Sequence, residues 1–207
     1  MRVALIRHGL TALGEAGRYQ GRIDEPLSDR GREELLPGPS PEIGQVEENS
    51  AGQCTPWPEI VYTSPAKRAR ETASILFPEA EQTAVEALWE MNFGVFDGRG
   101  WWEMKNDPRY RAWVDGGCEG RCPEGENLAE YRERVCNALR MIFDRACREG
   151  SRGIVIVAHG GTQMAALSSW GDASHTYWQW QTACGCGWLL DWDGSHLQVR
   201  SELRFVR

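Results

Sequence analysis

Short apolar runs and helical segments alternate along most of this chain, and that alternation constrains its fold more than any other feature. Val3–Ile6, Ile60–Thr63 and Ile154–Val157 are short, mostly apolar and bounded by polar residues or glycine, which predicts buried strands. Residues 66–77 predict a helix after the second strand, and residues 127–150 predict a longer one. Strands that alternate with helices predict an α/β fold, here a three-layer sandwich with a mostly parallel central sheet and helices on both faces.

Periodicity and capping residues support the individual elements. In the longer helix, apolar residues recur at steps of three and four until Gly150 ends the pattern. Ser64 is the predicted cap of the shorter helix, with Pro65 at its first position. A further helix is predicted at 162–170, and the C-terminal part is predicted to form a hairpin that turns at 193–194.

Two stretches lack a regular pattern. Residues 27–36 could begin a helix, but three prolines within the next five residues stop it. Residues 37–58 are therefore predicted to be an exposed connection, and 89–126 to be rich in loops with short helices. No internal repeat divides the chain, so residues 1–207 are predicted to form a single domain.

Composition excludes several classes of function. The chain is 41% hydrophobic and 26% charged, as expected for a soluble globular protein. Its 23 basic and 30 acidic residues give a net charge of -7, which argues against nucleic-acid and anionic-membrane partners. No apolar stretch is long enough to span a bilayer and Met1 leads directly into a strand, so we expect a cytoplasmic protein. The sequence does not indicate the oligomeric state.

Cysteine and tryptophan are both frequent in the sequence. The seven cysteines show no C-x-x-C spacing and are odd in number, so free thiols are expected and no metal site. Six tryptophans could wall a binding pocket, although core packing is the simpler expectation for each of them. These six are Trp101, Trp102, Trp113, Trp170, Trp178 and Trp180.

Two of the four histidines occupy matching places. His8 and His159 each follow a predicted apolar strand and precede glycine. Ligands of open α/β sheets bind outside the carboxyl ends of the strands, so neighbouring strands would bring both imidazoles to one crevice. Either histidine alone is more often a structural residue, and His175 and His196 lack such a context.

Arginines at two of the strand ends indicate what the crevice binds. Arg7 precedes His8, and Arg68 lies at the start of the helix that follows the second strand. Helical spacing lets only one arginine of 67–70 face the crevice. Guanidinium groups and a helix start suit a phosphate, and a neutral imidazole can attack phosphorus, so we expect a phosphoryl site without metal ligands.

With these residues in place, the chain resembles the histidine phosphatase superfamily, which has the phosphoglycerate-mutase-like fold. The resemblance covers nearly the whole chain, and its blocks follow one another in the family's order. These blocks are LIRHGLT (5–11), RYQGRIDEPLSDRG (18–31), VYTSPAKRARETA (61–73), LWEMNFGVFDGR (88–99), PEGENL (123–128) and VIVAHGG (155–161).

The resemblance implies a role for each matching position. His8 would be the nucleophile that becomes phosphorylated, while Arg7, Arg68 and His159 would hold the transferred phosphoryl group. Glu90 falls where the family has its proton donor, which the chemistry requires because an alkoxide leaves poorly until it is protonated.

Two further positions, and one departure, concern the phosphate pocket. The resemblance places Thr11 and Gln20 among the polar residues that line it. The family usually has Trp-Asn where this chain has Leu13 and Gly14, so an asparagine contact to phosphate is expected to be missing. The proline-rich stretch from Pro37 also replaces what is often a longer helix.

Three functions are compatible with these residues: a phosphomonoester hydrolase, a phosphoglycerate mutase, or a non-catalytic protein that binds phosphorylated ligands. All chemical positions are filled, which disfavours the third. The mutases carry a longer basic insertion after the glutamate, whereas residues 94–117 are short and rich in tryptophan here. We therefore expect a metal-independent, cofactor-free phosphatase of small metabolites. The block at 19–28 looks like that of bacterial α-ribazole phosphatases of cobalamin assembly.

Overall fold

The computed structural model describes residues 1–35, 58 and 60–206, so nearly all of the predicted connection at 37–58 lies outside the described residues. The strands are β1 (Arg2–Arg7), β2 (Ile60–Thr63), β3 (Glu81–Ala84), β4 (Gly153–Ala158), β5 (Cys186–Trp192) and β6 (Leu197–Arg204). The helices are α1 (Ala12–Glu15), α2 (Asp29–Glu34), α3 (Lys67–Leu76), α4 (Trp101–Met104), α5 (Pro108–Asp115), α6 (Leu128–Arg148) and α7 (Gly160–Trp170). Single 3₁₀ turns cover Glu86–Leu88, Gly94–Phe96 and Tyr177–Trp180.

The six strands form one sheet in the order β3-β2-β4-β1-β5-β6. The first four strands of that order are parallel, and β5 and β6 extend the sheet in the antiparallel sense. Strand β1 pairs directly with β4, with Arg7 opposite Ala158. The predicted mostly parallel sheet is confirmed, and its two histidine-bearing strands are neighbours.

Helices cover both faces of the sheet, as predicted. Val3 and Leu5 of β1 face the larger core, which α6 and α7 close, whereas Ala4 and Ile6 face the core under α3. Because successive side chains of a strand point to opposite faces, a continuous apolar run is what a strand buried on both sides requires.

Helix boundaries follow their predicted signals with one exception. Helix α6 ends just before Gly150, whose φ of 71° is easily adopted by glycine. Helix α3 begins only at Lys67, with Ala66 as its N-cap, so the prediction that Ser64 caps it with Pro65 at its first position was wrong. The helix starts two residues too late for that cap, and the Ser64 hydroxyl instead lies 2.8 Å from Nε2 of His159.

The C-terminal hairpin was predicted correctly, and one edge strand was not predicted. Strands β5 and β6 are joined by a turn in which the Asp193 carboxylate accepts hydrogen bonds from the backbone of Ser195 and His196. Strand β3 is missing from the sequence prediction because its four residues, Glu-Gln-Thr-Ala, lie at the sheet edge and are not buried. None of the described helices is long and apolar enough to cross a membrane.

Candidate active site

The carboxyl ends of β1 and β4 bring His8 and His159 into one crevice. Their ring centroids lie 5.3 Å apart, with an angle of 71° between the ring planes. The backbone N–H of His8 donates to the carbonyl of Ala158 at 2.9 Å, which extends the pairing of the two strands to the first histidine. The sheet therefore fixes both imidazoles through rigid backbone on adjacent strands.

His8 presents an unprotonated nitrogen to the crevice. Its Nδ1 lies 2.7 Å from the carbonyl oxygen of Gly9, and because a carbonyl only accepts, Nδ1 carries the hydrogen and Nε2 keeps its lone pair. Burial, followed by the positive charges of Arg68 and Arg7, holds the pKa of His8 well below its usual value. The ring is neutral at physiological pH, as a nitrogen nucleophile must be.

His159 lies fully buried beneath this ring. Its Nδ1 lies 3.4 Å from a terminal nitrogen of Arg68, which only donates, so Nε2 carries the hydrogen toward Ser64. The Ser64 oxygen also accepts the backbone N–H of Ala66, so its own hydrogen is available to point at His159. Reorientation of that hydroxyl would let Nδ1 become a donor toward a phosphoryl oxygen.

Arg68 is the arginine of 67–70 that faces the crevice, and Arg70 is exposed. Arg68 is 0% exposed, and its terminal nitrogens donate to the carbonyls of Ile23 and Gly21, each at 3.0 Å. Its Nε is buried and has no hydrogen-bond partner among the residues that the structure describes. Two of its three nitrogens are thus used to fix the guanidinium, and the third is left for a ligand.

The loop that holds Arg68 is itself held by Asp97. The Asp97 carboxylate accepts hydrogen bonds from three consecutive backbone N–H groups, those of Gly21, Arg22 and Ile23, at 2.7 to 3.0 Å. Asp97 was not among the predicted site residues, because one loop aspartate among 30 acidic residues carries no distinguishing pattern.

Arg7 contributes a second buried guanidinium. One terminal nitrogen donates to the carbonyl of Thr182 at 2.7 Å, while its Nε is buried without a partner in the described part of the chain. Buried donors are normally satisfied, so two unpaired guanidinium N–H groups beside His8 indicate an anionic ligand. The N-terminus of α7, which starts at Gly160, adds positive potential at the same place.

Glu90 lies in the same cavity as His8. Its carboxylate accepts hydrogen bonds from the backbone N–H groups of Met91 at 2.9 Å and Gly161 at 3.2 Å. Residue 161 belongs to the first turn of α7, so the carboxylate is bound to the helix that follows His159. The structure therefore brings together all the residues to which the resemblance assigns chemistry.

Arg134 and Glu126 fix the loop that carries Glu90. Arg134 donates to the carbonyls of Ala87 at 2.8 Å and Trp89 at 3.0 Å, and it pairs with both carboxylate oxygens of Glu126. Glu126 is therefore engaged elsewhere and does not line the cavity. Sequence reasoning missed Arg134, since an arginine on an amphipathic helix is usually a solvated one.

Thr11 and Gln20 both line the cavity, as the resemblance implies. The Thr11 hydroxyl accepts the N–H of Gly14 at 3.1 Å, which caps α1, and donates to the Gln20 amide oxygen at 2.7 Å. Gly14 also faces the cavity, and having no side chain it makes no asparagine-like contact there.

An aromatic chamber opens above these groups. The cavity has a volume of about 340 Å³, and its outer wall includes Tyr19, Phe93, Trp113, Tyr177 and Trp178. Of the six tryptophans considered for this wall, only Trp113 and Trp178 line it.

The other four tryptophans lie elsewhere. Trp170 and Trp180 pack with the larger core, which confirms the expectation of core packing for these two residues. Trp101 and Trp102 of the one-turn helix α4 are exposed to 59% and 41%.

The chain is similar in sequence or in fold to known phosphatases and to a phosphoglycerate mutase. The chain is 28% identical over 172 residues to an acid phosphatase of Mycobacterium tuberculosis, covering 82% of this chain and 75% of that protein. The crystal structure of the α-ribazole phosphatase from Shigella flexneri shares the fold, with a TM-score of 0.75, 24% identity, and coverage of 100% of this chain and 98% of the other. A phosphoglycerate mutase structure from Thermus thermophilus does so with a TM-score of 0.66, 24% identity and 98% coverage of both chains.

A family model describes nearly the whole sequence. The model of the histidine phosphatase superfamily, branch 1, matches residues 3–202, a range that contains every residue of the crevice described above. This chain therefore belongs to the histidine phosphatase superfamily.

Proposed function

We propose that this protein hydrolyses small phosphomonoesters through a phosphohistidine formed at His8. The observation that carries the proposal is the convergence of one lone pair and two unpaired donors. Nε2 of the neutral His8 ring shares the crevice with the buried, unpartnered Nε atoms of Arg7 and Arg68. Such an arrangement supplies a nucleophile for phosphorus and cations for the oxygens around it.

In the first step, Nε2 of His8 would attack the phosphorus atom and the bond from phosphorus to the ester oxygen would break. Glu90 would give its proton to that departing oxygen, so the alcohol leaves neutral. In the second step, a water molecule would attack the phosphohistidine, and the Glu90 carboxylate would take the proton of that water. Inorganic phosphate then leaves, and both His8 and Glu90 return to their starting states.

The chamber wall indicates which alcohols the enzyme accepts. Besides Arg7, the cavity lining includes one further arginine, Arg18, whose guanidinium is bound by the Glu103 carboxylate and the Gly98 carbonyl. The described lining thus has no free cation for a substrate carboxylate, and its aromatic rings favour an apolar or aromatic group. We therefore propose α-ribazole 5′-phosphate, the ester of an aromatic nucleoside, as the leading candidate substrate.

The alternative is a phosphoglycerate mutase, which the fold of the Thermus thermophilus relative keeps open. Both reactions share the phosphohistidine and differ in whether water or a second phosphoglycerate accepts the phosphoryl group. Because the described lining of the chamber has no free cation for the glycerate carboxylate, we expect phosphate release from several esters and little interconversion of 2- and 3-phosphoglycerate. A panel of phosphomonoesters that includes α-ribazole 5′-phosphate would measure both. Efficient interconversion primed by 2,3-bisphosphoglycerate would contradict the hydrolase proposal.

Activity should not depend on a metal ion. The phosphoryl charge is balanced here by Arg7, Arg68 and the N-terminus of α7, so these groups take the place that Mg²⁺ or Zn²⁺ has in other phosphatases. Turnover of p-nitrophenyl phosphate should be the same before and after exhaustive dialysis against EDTA. A metal-dependent phosphatase treated in parallel verifies that chelation was complete. Loss of activity that added Mg²⁺ or Zn²⁺ restores would overturn this part of the proposal.

A further inference from the structure

Tyr131 is a buried tyrosine whose hydroxyl has no evident structural use. The residue lies on α6, is 1% exposed, and packs in the larger core. Its Oη is buried and makes no hydrogen bond of good geometry within the part of the chain that the structure describes, although Glu90 and Thr162 are its polar neighbours. A buried unpaired hydroxyl destabilises a fold, and phenylalanine would fill the same space without that cost. Packing therefore explains the ring of Tyr131 but leaves its oxygen unexplained.

The Tyr131 hydroxyl lies close to the backbone of Gly161. A Cβ atom on Gly161 would lie 2.3 Å from Oε1 of Glu90 and 2.5 Å from Oη of Tyr131. Both oxygens therefore crowd around one point, which is left open because residue 161 has no side chain. Tyr131 also lines the cavity together with Glu90. The hydroxyl that lacks a structural partner is thus a close neighbour of the proposed acid.

Toward the ionised Glu90 carboxylate, the phenol acts as a donor. Burial, followed by the negative charge of Glu90, raises the pKa of Tyr131 well above its usual value, so the hydroxyl keeps its proton. Glu90 already accepts the N–H groups of Met91 and Gly161, one at each carboxylate oxygen. A carboxylate has about four acceptor positions, so room remains for a third donor.

We propose that Tyr131 is a positioning residue for Glu90, and that its hydroxyl donates a hydrogen bond to the carboxylate as Glu90 releases its proton to the leaving group. This role rests on the proposed function, in which Glu90 is the general acid. The carboxylate that proton transfer leaves behind would then be held by three donors: two backbone N–H groups and the phenol. The bond would tighten on reaction, which accounts for a hydroxyl that neighbours Glu90 without a well-aligned hydrogen bond in the described part of the resting structure.

The other polar groups near Glu90 are either already engaged or, like the buried Thr162 hydroxyl, neighbours of Tyr131 itself. Arg68 and Arg134 supply positive charge, but their terminal nitrogens are bound to backbone carbonyls and, for Arg134, to Glu126. Tyr177 lies on the chamber wall, where burial, followed by the charge of Glu90, raises its pKa. His8 is the nucleophile. None of these groups changes when Tyr131 becomes phenylalanine, so the effect of that substitution reports on the hydroxyl.

The test is the Tyr131→Phe variant, assayed by single-turnover formation of the phosphoenzyme. With an alkyl phosphate we expect the rate to fall about ten- to a hundredfold, the range for losing a hydrogen bond to a charged group. With p-nitrophenyl phosphate, whose leaving group needs no proton, the rate should stay within about twofold.

Two controls distinguish a positioning role from a packing role, and test whether the effect depends on Glu90. Tyr62→Phe removes a hydroxyl from another tyrosine of the same core that does not line the cavity, and it should change neither rate. In a Glu90→Gln background, Tyr131→Phe should have no further effect, since the acid it serves is gone. Equal losses with both esters, or an unchanged additional loss in that background, would overturn the positioning role while leaving the phosphohistidine intact. Absence of any phosphoenzyme in the unmodified protein would instead overturn the proposed function.

Discussion

Replacing His8 with alanine should abolish the phosphoenzyme and reduce turnover by about 10⁴-fold or more, as removal of a covalent nucleophile does in other enzymes. The reason lies in the geometry of the crevice. His8 alone combines a free Nε2 lone pair with a neutral ring, since His159 has both nitrogens committed to Ser64 and Arg68. Rapid quenching during turnover should trap an acid-labile, base-stable phosphate on the unmodified protein and none on the variant.

His196→Ala is the matched control. His196 is exposed, lies at the turn between β5 and β6, and does not line the cavity. Its loss should leave both the label and the rate unchanged. Full activity of His8→Ala, or a label that persists in it, would refute the phosphohistidine mechanism as a whole.

Glu90→Gln should slow alkyl phosphates by about 10²–10⁴-fold, the usual value of general acid catalysis. The amide has nearly the shape of the carboxyl group but cannot release a proton to the departing oxygen. The loss should therefore depend on the leaving group: large for a sugar alkoxide and small for p-nitrophenolate, which leaves without protonation. Single-turnover measurement of phosphoenzyme formation isolates this step from hydrolysis of the intermediate.

Glu15→Gln provides the comparison for Glu90. The Glu15 carboxylate belongs to α1, binds the hydroxyl of Ser28 and lies outside the cavity lining, so its loss should change neither ester's rate. Equal losses for both esters in Glu90→Gln would remove Glu90 as the acid. Glu126 would be a poor replacement, because Arg134 holds both of its oxygens.

The backbone frame of the site was predictable because each of its signals is local in the sequence. His8 and His159 each lie within two residues of an apolar run, and helical spacing separates Arg68 from Arg70. Glu90 has no such signal: it lies in a loop without periodicity, and only the resemblance to a family drew attention to it.

The contacts that hold the site were not predictable, because they join distant parts of the chain. Asp97 supports a loop more than 70 residues before it, and Ser64 contacts a histidine 95 positions away. Such pairs become visible only when the sheet brings their segments together. Tyr131 shows the same limit. Its spacing on α6 correctly predicts a core residue, but gives no indication that its hydroxyl lies beside Glu90.

Gly161 shows that residues of the cavity differ in how freely they can be substituted. The methyl group of an alanine there would lie within 3 Å of the Glu90 carboxylate and of the hydroxyl and ring of the buried Tyr131. Position 161 is thus constrained by the chemistry and by the core together. Trp178 on the aromatic wall is 52% exposed and meets no such constraint, so the rim of the cavity can change in sequence while its floor stays the same.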